Sequence, residues 1–257
     1  MQKLIKTIRQ FGVKEGDVLF VSSDITRLIW NIQQVTNEDI SVNAVIDALQ
    51  GVIGVNGTLL FPTYNWGFCK GETWDYHKTK CLTGALGIVA LKRADFKRTQ
   101  HPIYSFAVWG KDQELLCNMI NTSSFGADSP FAYLEHKRAK NLVIDVPLNH
   151  CFTFVHYVEQ QSGVVTYRYE KNFAAGYVDK DGHESRRTYS MFVRDLDLDV
   201  ENILEPIEQQ MLDENVARRA MVYDVPITLI DMRKSRDLIL EDIINNRSRK
   251  ICKYIGQ

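Results

Sequence analysis

Thr153, His156 and Glu159 follow one another at intervals of three in the segment CFTFVHYVEQQ (151–161). That spacing stacks side chains on one face of an α-helix. An imidazole beside a carboxylate can move a proton, and a hydroxyl one turn earlier adds a polar group where the helix begins. Thr153 is expected to cap that helix through its side-chain oxygen. Backbone N–H groups left free there would stabilise a developing negative charge. A plainer reading stands beside the catalytic one: a histidine satisfied inside an apolar helix, with Thr153 only a cap. Paired titratable groups mark function statistically, not by necessity.

The trio must be positioned by a strand–loop–helix unit. Leu142, Val143, Ile144 and Val146 form an apolar run that predicts a buried strand, and Pro147 and Asn149 break it. Phe154, Val155 and Val158 then supply the apolar faces of the helix. Upstream, Leu4, Ile5, Ile8 and Phe11 predict a first helix ending near Gly12, and Val18 to Val21 a strand running into Ser22, Ser23 and Asp24. The pattern over 25–40 fits no single element. Ser41 caps a helix carrying Val42, Val45, Ile46 and Leu49, and 58–62 predicts a second buried strand. The polar and aromatic segment 64–82 predicts an unstructured loop, of a length that is usually functional.

A helix over 84–93, a polar turn at 97–102, a strand over 104–109 and helices near 111–119 and after Ser129-Pro130 lead to the central unit. Beyond it, 164–189 predicts strands with turns at Ala175-Gly176 and Asp181-Gly182. A helix over 203–220, a strand over 225–230 and a helix over 235–245 follow. Such an order predicts the α/β class: a mixed, mostly parallel sheet with a small antiparallel β insertion at about 164–200. With no repeat or low-complexity linker in it, the chain is expected to form a single domain over 1–257.

A formal charge of −1, with 45% hydrophobic and 25% charged residues, is an ordinary globular balance. It gives no ground for nucleic-acid or membrane-surface binding. No apolar run is long enough to span a bilayer. Lys3, Lys6 and Arg9 interrupt the N-terminal helix, which therefore does not read as a signal peptide. Cys69, Cys81, Cys117, Cys151 and Cys252 are odd in number and show no C-x-x-C spacing. Reduced thiols in a cytoplasm are expected, rather than a disulfide framework or a zinc site.

Several stretches together resemble the aminoglycoside 3-N-acetyltransferase family. They are GDVLFVSS (16–23), VIDAL (45–49), VNGTLLFPT (55–63), RTQHPIYSFAVWG (98–110), SPFAYL (129–134), TFVHYVE (153–159) and VTYRYEK (165–171). They fall in family order over roughly the first two-thirds of the chain. The sequence departs from the pattern in three places. Val21 stands where a histidine is usual, the stretch Ile25 to Asn31 replaces a Gly-rich one, and Asp145 occupies a position where a small glycine is common.

The resemblance implies a three-layer α/β/α sandwich and transfer of an acyl group, acetyl or longer, from acyl-CoA to the amine of a sugar, with no metal. It makes His156 the general base, Glu159 the carboxylate that orients it, and Thr153 a contributor to oxyanion stabilisation. Ser22, Ser23, Thr63 and Ser105 match positions along the coenzyme A path, although Ser and Thr also suit ordinary turns and strand ends. His101 is either a phosphate or pantetheine contact or a residue ordering its own turn. Tyr64 and Asp75, in the long loop, are expected near the acceptor with Arg168 and Lys171. That loop is a lid or a subunit contact, a homodimer being one alternative.

Arg168, Lys171, Arg186, Arg187 and Arg194 make the segment after the motif basic. Arginines suit a phosphate-bearing acceptor. This favours a nucleotide-linked amino sugar of surface-polysaccharide biosynthesis over an aminoglycoside, which remains the alternative. The plain reading of the same arginines is a solvated sheet face. Three other readings stay open: a Cys151 nucleophile, a metal held by His150, His156 and Glu159, and a binding protein that has lost catalysis.

Overall fold

In the computed structural model, which describes residues 1–255, the chain opens with helix α1 (Gln2–Gln10), strand β1 (Val18–Ser23) and helices α2 (Thr26–Thr36) and α3 (Val42–Ile53). Strand β2 (Thr58–Pro62) leads into segment 64–82, which holds the short strand β3 (Trp74–Asp75). Then follow α4 (Ala85–Ala90), β4 (Lys97–Arg98), β5 (Phe106–Gly110), α5 (Gln113–Cys117), α6 (Pro130–His136) and β6 (Lys140–Ile144). Next come α7 (Leu148–Cys151), α8 (Phe154–Ser162), β7 (Arg168–Val178), β8 (Glu184–Arg194) and β9 (Val200–Asn202). Helix α9 (Glu205–Asp213), β10 (Ala217–Val222), β11 (Val225–Asp231), α10 (Met232–Asn246) and β12 (Cys252–Tyr254) finish the described residues.

A seven-stranded sheet runs in the order β10-β11-β6-β1-β2-β5-β4. Strands β6, β1 and β2 are parallel at its centre, and β11 and β5 join antiparallel on either side. Side chains alternate faces along a strand, so each face needs its own apolar cover. Leu19, Val21, Leu59 and Ile144 pack with Ile8, Leu28 and Val45 from the first helices. Phe20, Leu60 and Val143 point the other way, to Phe131, Phe154 and Ile239. The result is a mixed α/β sandwich with helices on both faces.

Strand β1 connects through α2 and α3 to β2 on one side, while β6 pairs with its other side. Connections that diverge in this way leave a crevice at the carboxyl ends of the strands, where open α/β sheets bind ligands. The segment over 25–40, which the sequence pattern left undecided, forms α2, with Leu28 and Ile32 buried.

Segment 64–82 is a built element, correcting the expectation of an unstructured loop. Trp74 is buried and stacks on Tyr177, and β3 pairs parallel with β7. Residues 97–102 do not all turn either, since Lys97 and Arg98 form β4. From there the buried Arg98 clamps the segment. It donates to the carbonyls of Thr79 (2.6 Å) and Thr63 (3.2 Å) and to Ser105 Oγ (3.0 Å), and its guanidinium lies over the Trp74 ring. Burial pushes Arg98 down to about 10, which still leaves it charged at neutral pH. Ala175-Gly176 is no turn: β7 runs straight through it and only the turn near Asp181-Gly182 closes the hairpin. A Cβ on Gly176 would meet Thr73 Oγ1, so this glycine admits the 64–82 segment against the hairpin.

His101 is fully enclosed. Its Nδ1 accepts the backbone N–H groups of Ile103 (3.3 Å) and Tyr104 (3.2 Å), so it orders its own turn. Burial drives its pKa down to about 3, against 6.5 in an exposed chain. The sign follows: unfolding takes up a proton wherever the pH lies between these values. The stability held above pH 6.5 is therefore lost as pH falls, at about 1 kcal/mol per pH unit. Urea unfolding at pH 6.5 and 5 should display that slope, and equal stabilities at the two pH values would contradict it.

Candidate active site

Helix α8 carries the expected trio. His156 Nδ1 lies 2.7 Å from Glu159 Oε2, one helical turn on. With Glu159 ionised, Nδ1–H donates and the lone pair of Nε2 is left free. Glu159 is fully buried and held from two further sides. The Tyr167 hydroxyl donates to Oε1 at 2.8 Å, and Arg168 Nε lies 2.9 Å from Oε2. The Arg168 N–H does not point along that contact, so it is an ion pair rather than an aligned hydrogen bond. Arg168 also donates to Asn202 Oδ1 at 2.8 Å, and its side chain is only 7% exposed.

Burial lowers the pKa of His156, and the Arg168 charge lowers it further, against the pull of Glu159. The ring is therefore neutral at physiological pH, the state a base requires. Burial alone would raise Glu159, but His156, Arg168 and Tyr167 outweigh it and keep the carboxyl below its ordinary value.

Thr153 does not cap α8. Its backbone is already helical (φ −55°, ψ −22°) and its side chain makes no capping bond. The reason is α7, a turn of helix after Pro147 where a loop was expected. It runs almost into α8, so the Val155 and His156 amides are satisfied by the Phe152 and Thr153 carbonyls. Those amides are not free for an oxyanion, whereas the Thr153 hydroxyl is released into a cavity.

That cavity, of about 290 Å³, occupies the crevice at the carboxyl ends of β1 and β2 and beyond β6. Ser22, Ser23, Tyr64, Trp66, Cys151 and Thr153 line it, together with Val146 and His150. The Tyr64 hydroxyl is buried near Thr153 without a well-aligned partner. An apolar slot edged with hydroxyls and one orphaned donor suits a chain of amides such as a pantetheine arm.

Sequence reasoning grouped other residues that the structure separates. Thr63 and Ser105 are fully buried and bond to each other at 2.8 Å beneath Arg98; neither lines the cavity. His101 has no surface free for a cofactor. Asp75 accepts the backbone N–H groups of His77 and Lys78, both at 2.9 Å, and shapes its own turn. Lys171 is exposed beside the Phe173 ring, on the opposite face of β7 from Arg168.

The remaining arginines of the hairpin are tied down within the fold. Arg186 donates to the Ala174 carbonyl and Arg194 to that of Val200, while Arg187 stacks over Tyr177 at 4.0 Å. Burial pushes the Cys151 thiol up to about 12, so it is protonated at neutral pH and poorly suited to nucleophilic attack. Among the described residues, His150 does not come within ligating range of both His156 and Glu159. Two partnerships escaped the sequence reading. Tyr167 holds Glu159, and Arg27 pairs with Asp145 just past the end of β6, outside the residues that line this cavity.

Comparison with known proteins gives three findings. A family model described as aminoglycoside 3-N-acetyltransferase matches residues 29–241. The chain is 26% identical over 185 residues to the SPbeta prophage-derived aminoglycoside N(3')-acetyltransferase-like protein YokD of Bacillus subtilis (strain 168). That match spans 61% of this chain and 64% of the relative. Among solved structures, AAC-IIIb in its binary complex with CoASH superposes with a TM-score of 0.77 at 17% identity, covering 95% of each chain. YokD from Bacillus subtilis gives 0.76 at 19% identity, covering 96% of this chain and 94% of that one. At such identities the structural likeness is one of fold. No helix among the described residues is long and apolar enough to cross a membrane.

Proposed function

The chain belongs to the aminoglycoside 3-N-acetyltransferase family, and from that premise we propose that it transfers an acyl group, acetyl in the first instance, from acyl-CoA to an amine of an aminoglycoside-type amino sugar. The observation that carries this reading is the His156–Glu159 pair, with Nε2 free and Thr153 one turn away in the wall of the cavity. Ser22, Ser23, Tyr64 and Thr153 would hold the pantetheine arm. His156 Nε2 takes a proton from the attacking amine as its nitrogen bonds to the thioester carbon. The carbon–sulfur bond then breaks, and the same proton passes to the departing thiolate. The Thr153 hydroxyl donates to the carbonyl oxygen while it carries charge. Glu159 sets the tautomer of His156 and stabilises its cationic form, and Tyr167 and Arg168 fix Glu159.

The acceptor reading turns on the basic segment. A phosphate-bearing sugar needs cationic forks that are unspent, and Arg168, Arg186 and Arg194 are each bonded within the fold. Glu170 is bonded as well, accepting the Ser190 hydroxyl at 2.5 Å, but it is exposed and lies 3.5 Å from Gln160, one turn beyond His156 on α8. An ammonium-bearing acceptor suits that neighbourhood better than a diphosphate. Thiol release from acetyl-CoA with a panel of aminoglycosides and nucleotide-linked amino sugars tests the proposal. Higher kcat/KM for an aminoglycoside is expected, and activity confined to nucleotide sugars would overturn the acceptor class.

A further inference from the structure

Every group of Tyr64 is gripped by the fold except its hydroxyl. Its N–H donates to Thr83 Oγ1 at 3.1 Å, and its carbonyl accepts the Leu82 N–H at 3.0 Å. The Thr63 carbonyl, one residue earlier, accepts from both Arg98 and the Ser105 hydroxyl. The ring meets those of Tyr104 and Phe106 edge-on, with centroids 4.8 and 5.4 Å away, and Trp66 and Phe131 each lie at 6.5 Å. Tyr64 is only 4% exposed, yet its hydroxyl has no aligned partner among the described residues. A buried donor left in that state costs free energy, and such orphans are rare enough to need a reason.

The hydroxyl within its reach is that of Thr153, in the wall of the same cavity. Thr153 is free to receive it, since its side chain makes no capping bond. An unengaged threonine hydroxyl is a rotor, and its O–H can turn toward protein, water or substrate. A phenol that donates to Oγ1 occupies one lone pair and strengthens the bond the threonine donates in turn. Burial holds the Tyr64 hydroxyl well above its ordinary pKa, so it keeps the proton it would donate. The packed ring fixes the direction of that donor before any charge develops, which is the condition for electrostatic preorganisation.

Resting on the acyl-transfer reading above, we infer that Tyr64 is a positioning residue: its hydroxyl donates to Thr153 Oγ1 and so directs the Thr153 O–H at the thioester carbonyl oxygen. Hydrogen bonds between catalytic groups are often poorly aligned until substrate is bound. The Arg98 clamp on segment 64–82 thereby serves the reaction centre as well as the fold. The plain alternative is a packing aromatic whose hydroxyl is idle.

Tyr64→Phe deletes the hydroxyl and keeps the ring, Thr153→Val deletes its partner, and the double variant closes a cycle. Each is assayed for acetyl transfer to an aminoglycoside, for calorimetric CoA binding and for urea denaturation. Tyr64→Phe should lower kcat by roughly tenfold, less than Thr153→Val does, with KM for acetyl-CoA and CoA affinity unchanged. In the Thr153→Val background it should lower kcat no further. Its unfolding midpoint should equal or exceed that of the parent, because no aligned bond is lost. An unchanged kcat would overturn the assignment, as would the same fold-loss in both backgrounds or a loss confined to CoA affinity. A lower unfolding midpoint would overturn it too, by showing that the hydroxyl bonds the fold. Full kcat in Thr153→Val would remove the group through which Tyr64 acts. Failure of the wild-type protein to release thiol would instead count against the acyl-transfer reading itself.

Discussion

Replacing His156 by alanine should lower kcat/KM for acetyl transfer by roughly 10²–10⁴-fold while the protein stays folded, the range that a positioned general base contributes. The imidazole is partly exposed, so its removal opens no deep core cavity. It does take away the group whose Nε2 is left free by the bond between Nδ1 and Glu159. In the unaltered enzyme kcat/KM should fall as pH drops through the His156 pKa. Burial and the charge of Arg168 place that pKa below the ordinary 6.5. Steady-state rates over pH, with circular dichroism on the variant, check both parts. Near-full turnover by a folded His156→Ala protein would remove the base from the mechanism.

Glu159→Ala should be costly in a different way, with a loss of about 3–5 kcal/mol of stability, because a buried ion pair is broken by removing one partner. Arg168 would remain almost fully enclosed without its carboxylate, and the Tyr167 hydroxyl would lose its acceptor. Glu159→Gln keeps the shape and an acceptor oxygen, so it should cost less stability. It should still depress activity, because the positive charge developing on His156 loses its counter-charge. Urea denaturation of the two variants alongside turnover tells the roles apart. An alanine variant as stable as the parent would mean that the carboxylate is not the anchor of this cluster.

The parts of the site that the sequence made legible are those encoded over a few residues. Thr153, His156 and Glu159 lie within two helical turns, and the strands ending at Ser23 and Pro62 announce themselves by their apolar runs. The failure at Thr153 was also local in origin. A capping residue is recognised by the break before it, and here Pro147 starts a further turn of helix instead of a loop. What could not be read are partnerships across the chain. Arg27 and Asp145 are 118 residues apart, and nothing in either local sequence indicates the other. The basic character of the hairpin misled for the same reason, since composition counts arginines but not the carbonyls that occupy them. His101 belongs to this group as well. A histidine before proline looks available, until the turn folds around its ring and uses Nδ1.

The most direct measurement is initial-rate release of free thiol from acetyl-CoA with an aminoglycoside acceptor, both substrates being varied. Direct attack assisted by His156 predicts thiol release that depends on the acceptor, intersecting sequential kinetics, and loss of the rate in His156→Ala. Parallel-line kinetics would point to an acyl-enzyme and so to a nucleophile such as Cys151. No thiol release with any amine would contradict the transferase account altogether.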